Sequence, residues 1–444
     1  MDAGKLRKVA EQVLALAAKA APEAEAQVWL SAGRAANTRF ARNEITSTGD
    51  VADTALSIAL AFGKRHASTS TNQLDPASLR AAVDQAARLA RLAPEDPERM
   101  PVLGPQRYGK APPAWDVATE RLGAEARAQA AAAAIAAGKG ARLVVAGFHE
   151  HWASRSVTAT SAGLRAAHAA TGAELTVTAR TEDGTGSGWA GAASHRAADV
   201  DAQAVVKAAV DKGVRSARPR RLEPGRVTVV LEPAAVGELL GFYVAAADAR
   251  AADEGRSFFS RPGGGTRLGE KLFPDAVTLR SDFADPELPV APFDGEGLPR
   301  VATTWIDRGA VAVLRTSRFW AAKQGRTPTA DPGAHQLVGG SAATPEALLA
   351  GVTRGVLITR FWYTRWVDPQ SILITGLTRD GVFLIENGQV VAPVNNFRFN
   401  ESPVTMLANA DAMTRATYRL PGGGWRVPAL RTHEFNLASI SDAV

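Results

Sequence analysis

The sequence of 444 residues predicts an α+β protein: an N-terminal mixed α/β domain with an antiparallel-type sheet over residues 1–218, and a C-terminal β-rich domain over residues 223–444. Helical and strand-like segments are mixed in the first half without the regular alternation of a doubly wound sheet. From Asp275 onward the chain is mostly short strands and turns. Between the halves, Arg215 to Gly225 is rich in arginine and carries Pro219, Pro224 and Gly225, a linker composition. A chain of this length also exceeds what one hydrophobic core usually serves.

The elements follow in order. Leu6, Val9, Val13 and Leu16 recur at helical spacing. Ala26 to Phe40 alternates as a strand that Asn43 to Ser47 is expected to continue, and Leu56 to Phe62 is a further apolar strand ending at Gly63-Lys64. Asp75-Pro76 opens a helix, because Asp is a good N-cap and Pro a good first helical residue; Leu79, Val83, Ala86 and Ala90 give its buried stripe. Pro94 and Pro97 end it, and a proline-rich connector runs from Pro101 to Pro113. One long Ala-rich helix is expected from Trp115 to Ala137. Arg142–Gly147, Ser156–Thr160 and Glu174–Thr181 read as strands, Gly184 to Gly191 as a turning loop, and Asp199–Val214 as a helix. After the linker come strand Val227–Leu231, a helix from Pro233 to about Ala251, and a Gly263-Gly264-Gly265 loop. Val301–Ile306 and Ala310–Leu314 are strands, and Asn387-Gly388 joins two more as a hairpin, since that pair suits a type I′ turn.

Composition narrows the function. A net charge of +6 is a mild excess on this length, and the densest basic run lies in the linker without stacking aromatics, so nucleic-acid binding is not expected. The chain has no cysteine, which removes disulfides and thiolate chemistry. No segment approaches the ~20 apolar residues of a membrane span, and the N-terminal residues lack the apolar run of a signal peptide, so a cytoplasmic protein is the expectation.

Three stretches, in this order, resemble the TldD/PmbA family, also called the modulator of DNA gyrase family. They are Thr38 to Ser47; Val229-Val230-Leu231-Glu232-Pro233 with the helix after it and Gly255 to Ser260; and Val367-Asp368-Pro369 followed by Gly381 to Gly388 and Asn395 to Pro403. The resemblance implies a cytosolic two-domain chain. It implies too that a TldD-type zinc peptidase pairs with a TldE/PmbA-type subunit to enclose a chamber in which unfolded peptides are matured or degraded. In the TldD type, the helix after the Val-Leu-Glu-Pro strand carries His-Glu-x-x-x-His, and a cysteine near the C-terminus completes the zinc ligands. Zinc there lowers the pKa of its bound water.

This sequence departs from that pattern at every ligand. The matching helix places Leu240, Gly241, Phe242, Tyr243, Val244 and Ala245 where the motif would fall, and the chain has no cysteine. The resemblance therefore implies a TldE-like subunit without catalysis or cofactor of its own, with zinc in a TldD-like partner. Among seven histidines, His149 and His151 are two apart on a strand and point the same way, and His433 is a further candidate. They support an alternative, a self-sufficient metallohydrolase with relocated ligands. Against it, a catalytic zinc needs three protein ligands, and the pair reads as polar residues on a half-exposed strand. Another alternative is a homo-oligomeric peptide-binding protein. No nucleophile elbow or phosphate loop is present.

Residues that would meet a peptide or partner are Trp362, Tyr363 and Arg365 in the run Phe361 to Trp366, and Asn395, Asn396, Arg398, Asn400 and Glu401. The competing reading makes the first group an amphipathic strand with one face in the core, and the second a set of side chains that hold a turn together.

Overall fold

The computed structural model describes residues 1–441. The chain starts with α1 (Ala3–Ala20), β1 (Glu25–Ala41), β2 (Glu44–Phe62), β3 (Arg65–Thr71) and α2 (Pro76–Leu92). After an extended connector come α3 (Val117–Glu120), α4 (Ala124–Gly140), β4 (Leu143–Thr160), β5 (Arg165–Thr181), β6 (Ser187–Ser194) and α5 (Ala202–Arg215). The six strands form one antiparallel sheet in the order β3-β2-β1-β4-β5-β6.

All the large helices pack on one face of this sheet. Val28, Leu30, Leu56, Ile58 and Val157 meet α1 and α2, while Phe40, Val145, Leu175 and Val177 meet α4 and α5. Because side chains alternate along a strand, Trp152, Glu150, Glu174, Thr176 and Trp189 point to the opposite face, away from the helices.

The second half comprises β7 (Gly225–Leu231), α6 (Pro233–Ala246), α7 (Ala249–Asp253), β8 (Thr278–Ser281), β9 (Thr303–Asp307), β10 (Ala310–Val311), α8 (Arg318–Gln324), β11 (His335–Val338) and α9 (Pro345–Leu349). It ends with β12 (Arg354–Asp368), β13 (Leu373–Glu386), β14 (Gln389–Pro393), β15 (Asn396–Glu401), α10 (Pro403–Ala408), β16 (Ala410–Met413), β17 (Tyr418–Arg419), β18 (Trp425–Val427) and β19 (Leu430–Ser441). Strands β12-β7-β19-β15-β13 are neighbours in that order, and β13 pairs back with β12, so the sheet closes into a barrel. Closure leaves no sheet edge along the paired region. A second sheet, β10-β9-β8-β11-β18-β17, lies beside it. No helix among the described residues is long and apolar enough to cross a membrane.

The α+β class and the β-rich second half are as the sequence predicts. Asp75 caps α2 through backbone N–H groups of Ala77 and Ser78 at 3.0 Å, and Asn387 and Gly388 take the positive φ values, 48° and 77°, of the expected hairpin turn.

Several expectations are corrected. Asn43 to Ser47 does not continue the first strand: Arg42 and Asn43, at φ 52° and 61°, turn the chain back into β2. Leu56–Phe62 is the end of β2, whose register with β1 runs unbroken from Ala61 opposite Glu25 to Ser47 opposite Arg39. Likewise Arg142–Gly147 and Ser156–Thr160 belong to one strand, β4. Ladder hydrogen bonds carry β2 through Gly49, Asp50 and Asp53, residues of low β-propensity, and β4 through the polar run from His149 to Arg155. The Ala-rich helix is broken at Leu122-Gly123, where Gly123 serves as the N-cap of α4. The predicted Pro233–Ala251 helix is likewise two, α6 and α7, with Asp248 capping the second. Gly188 and Gly191 lie in strand β6 and not in a loop. A Cβ on Gly188 would come 2.3 Å from the Ala209 carbonyl oxygen, so glycine there permits α5 to pack against the strand.

Candidate functional site: a cleft between sheet and barrel

Helix α6 is held by the apolar residues of its inner face. Ala235, Val236, Leu239, Leu240 and Tyr243 are buried in the barrel-side core, and Pro233 at the first turn suits a helix start. Within the six positions of interest, Leu240 and Tyr243 face the core, Gly241, Phe242 and Val244 are half-buried, and Ala245 is exposed. The outward face meets β12 at two points. Thr364 Oγ1 donates to Glu238 Oε1 at 2.7 Å, and Trp366 meets Phe242 edge-on at 5.1 Å between ring centroids.

Beyond Phe361, β12 leaves the barrel as a ribbon paired only with β13. The last pairing of β12 with β7 is Ile358 opposite Leu231, whereas β13 stays with it as far as Asp368 opposite Leu373. Trp362, Tyr363, Trp366 and Val367 are all 40% or more exposed, so the ribbon is not buried on either face although Thr364 and Trp366 touch α6. This corrects the reading of a strand with one face in the core, which holds only up to Phe361. Tyr363 has φ 59° at a bulge in the β12–β13 register, and its ring lies 3.9 Å from the Arg365 guanidinium. A bulge re-aims side chains that strict alternation would send to opposite faces.

The ribbon, α6 and the helix-free face of the first sheet enclose an open cleft of about 740 Å³. Glu174, Thr176 and Trp189 form its floor, Gly237 and Glu238 one wall, and Arg360 to Thr364 another. Leu420 to Gly422, in the β17–β18 turn, close one end. Arg360 lies over Trp189 at 4.7 Å and Trp362 at 5.3 Å, and Arg379, its partner in the β12–β13 ladder, lies 4.8 Å from the Trp362 ring. An adjoining pocket of about 310 Å³ shares Glu174 and Leu420 and adds Glu150 and Trp152. Burial pushes the carboxyls of Glu150 and Glu174 up, the second against a hydrogen bond donated by Gly422 N–H at 2.6 Å.

The remaining candidates are spread. Arg398 and Asn400 sit on β15 one strand from the ribbon, with Asn400 and Arg365 both opposite Thr375, and Arg398 Nη1 donating to Thr375 Oγ1 at 3.3 Å. Glu401 is buried and accepts from the backbone N–H groups of Ser402 and Asn436, so it holds the β15–α10 turn. Asn395 and Asn396 lie elsewhere, in a pocket with Asp380 and Ser187, where Asn395 Oδ1 accepts from Leu222 N–H at 2.7 Å. Trp189, Arg360, Glu174 and Glu238 were not singled out by the sequence. An isolated Trp amid alternating glycines is the trace Trp189 leaves there.

His149 and His151 are buried, 8% and 1% exposed, and do not line a half-exposed strand. They point to the helix face, where Arg127, 1% exposed, donates from Nη1 to His151 Nδ1 at 3.2 Å. His433 lies in the barrel, bonded to Thr228 and paired with Asp411 at 3.1 Å. No group of three or more His, Cys, Asp or Glu side chains among the described residues is placed to hold a metal ion. The three histidines therefore do not converge, and the guanidinium against His151 repels a cation there.

A long antiparallel sheet facing a helix-backed cleft of a β-barrel defines the class, a frame shared with proteins of the PmbA/TldD type. Family models match as PmbA/TldA metallopeptidase domain 1 over residues 26–90, central domain over 112–217 and C-terminal domain over 224–439. The chain belongs to the PmbA/TldD family. No curated protein matches the sequence. Similar crystal structures include TldE from Thermococcus kodakarensis, at 18% identity and TM-score 0.86 over 96% of this chain and 99% of that one. Proteins described as modulators of DNA gyrase are similar as well. The one from Thermotoga maritima has 17% identity and TM-score 0.84 over 97% and 99% of the two chains. The one from Bacteroides thetaiotaomicron has 21% identity and TM-score 0.85 over 98% and 99%. At these identities the likeness concerns the fold.

The zinc of a metallopeptidase does not fit α6. Its inner face is apolar, it contains no histidine, and the chain offers no thiolate.

Proposed function

We propose that this chain is a TldE-like subunit, without catalysis of its own, of a cytoplasmic TldD/TldE-type peptidase complex. In this reading it forms one wall of a chamber, and a TldD-like partner brings the zinc that activates water. The observation that carries it is α6. The helix lies beside the cleft, yet Leu240 and Tyr243 pack into the core, and on the outer side Thr364 bonds Glu238 and Trp366 packs on Phe242.

The chain's contribution is to hold an extended, unfolded peptide. On the side away from β13, no strand pairs with Trp362 to Asp368 among the described residues, so backbone N–H and C=O groups are offered there. Strand addition at such an edge binds main chain and tolerates many sequences. Trp362 and Tyr363 add apolar and aromatic surface for side chains.

The test is reconstitution. The purified chain, a TldD-like subunit and their mixture are each given an unstructured fluorogenic peptide, and zinc is measured in each preparation. Cleavage by the mixture, with zinc tracking the TldD-like subunit, is expected. Cleavage by this chain alone, or failure of the two to co-elute, overturns the proposal.

A further inference from the structure

A polar seam crosses the helix face of the first sheet, between the core under α1 and α2 and the core under α4 and α5. Arg127 of α4 and His149 and His151 of β4 lie in it, all more than nine-tenths buried. Arg127 makes hydrogen bonds only to neutral acceptors, the Leu122 carbonyl at 3.2 Å and His151 Nδ1 at 3.2 Å. Taking a charge out of water is costly unless a counter-charge and hydrogen bonds offset it. The acid whose field reaches Arg127, Asp50, is engaged by Arg34, whose Nε donates to it at 2.7 Å. Arg34, Asp50 and Arg127 together leave one positive charge in surplus.

The hydrogen bond fixes a tautomer. A guanidinium has no lone pair to offer, so His151 Nδ1 must be the acceptor. A neutral His151 then carries its proton on Nε2. That nitrogen and Arg127 Nε are both buried N–H donors with no partner, and His149 Nδ1 is a third unpartnered nitrogen. A buried water would satisfy the donors but leave the charge unopposed.

We propose that the Arg127–His149–His151 cluster is a binding site for a small oxyanion, of the phosphate or carboxylate class. An anion supplies both missing elements, acceptors for the N–H groups and a counter-charge for the guanidinium. All three side chains are more than nine-tenths buried, which favours a free ion over the carboxylate of a bound peptide. The same pair of histidines that resembles a metal site in sequence is thus an anion site in space.

The test follows the imidazole resonances of the full chain labelled with 15N-histidine, assigned with His149→Gln and His151→Gln. Inorganic phosphate and acetate are titrated separately at constant ionic strength against chloride. Saturable shifts of His149 and His151 with phosphate or acetate, lost in Arg127→Met, are expected; which of the two binds tighter identifies the ion class. Chloride moving the rings equally, no movement at millimolar anion, or equal movement in Arg127→Met each overturns the site. Methionine keeps the length without the charge and is tolerated in such replacements. If that variant does not fold, Arg127→Lys, which retains charge but lacks Nε, must weaken the shifts for the proposal to stand.

Discussion

Arg360 Nη2 lies 2.6 Å from Asp380 Oδ2 between strands β12 and β13 of the barrel, and both residues reach across to β6 of the first sheet. Asp380 is fully buried, and its other oxygen accepts from Ser187 Oγ of β6. Arg360 stacks on Trp189 of the same strand, so one ion pair fixes the floor of the cleft against its wall. Removing one partner of a buried pair leaves the other charge uncompensated, at a cost of about 3–5 kcal/mol. Asp380→Asn, which keeps the shape and tolerates the residue's φ of 56°, is therefore expected to lower the thermal unfolding transition by several degrees. A transition unchanged from wild type sinks this account of the junction.

Trp362 is 45% exposed and Trp366 40%, so their replacement by alanine costs the isolated chain little. Loss of the cation–π and edge-on contacts accounts for about 1 kcal/mol. If the ribbon holds the peptide, Trp362→Ala in the reconstituted pair reduces cleavage about tenfold, as for an anchor residue in an interface. Steady-state kinetics with one peptide decide it: unchanged kcat/KM removes the ribbon from the substrate's path.

Two glycines should respond in opposite senses. A Cβ on Gly188 meets backbone atoms of α5 at 2.3 Å, and Gly188→Ala is expected to destabilise by about 1–3 kcal/mol. Nothing lies within 4 Å of a Cβ on Gly241, in helix α6, and Gly241→Ala is expected to stabilise by about 0.5–1 kcal/mol. Urea unfolding midpoints of the two variants check both signs.

His149 and His335 are buried, and burial holds each imidazole down to about 4 from an ordinary 6.5. His335 also stacks on Trp425 at 4.4 Å. Between those pH values the unfolded chain binds protons that the folded chain does not. The contribution to stability is thus full above pH 6.5 and is lost as pH falls toward 4, up to about 3 kcal/mol per residue. The raised carboxyls of Glu150, Glu174 and Glu401 act oppositely, losing stability as pH rises through their folded values. Unfolding midpoints compared at neutral and mildly acidic pH should drop on acidification, and the drop should shrink in His335→Gln. An equal drop in that variant removes His335 from the cause.

Local chemistry was legible in the sequence. The Asp75 cap, the Asn387-Gly388 turn and the apolar face of α6 depend on neighbours a few residues away. The exposed ribbon was half legible: Trp362, Tyr363 and Arg365 stood out as an aromatic and basic run, but nothing local told that the barrel ends at Phe361. Glu401 looked like a ligand-facing acid and is a buried turn-holder, because beside its chain neighbour Ser402 it meets Asn436 of β19, a partner that only the packing of β15 beside β19 brings near.

By itself the sequence determined which chemistry this chain lacks: it has no cysteine, and no histidine in the helix where the family's zinc motif would fall. Ligand atoms cannot be supplied by folding. Only the tertiary structure decided which distant residues meet. Trp189 and Arg360 share a cleft, and Arg127 faces His151, because strand register and helix packing fix which face each side chain occupies. A one-residue change of register would turn Trp189, Arg360 or His151 to the other side of its sheet, and no local preference distinguishes the two.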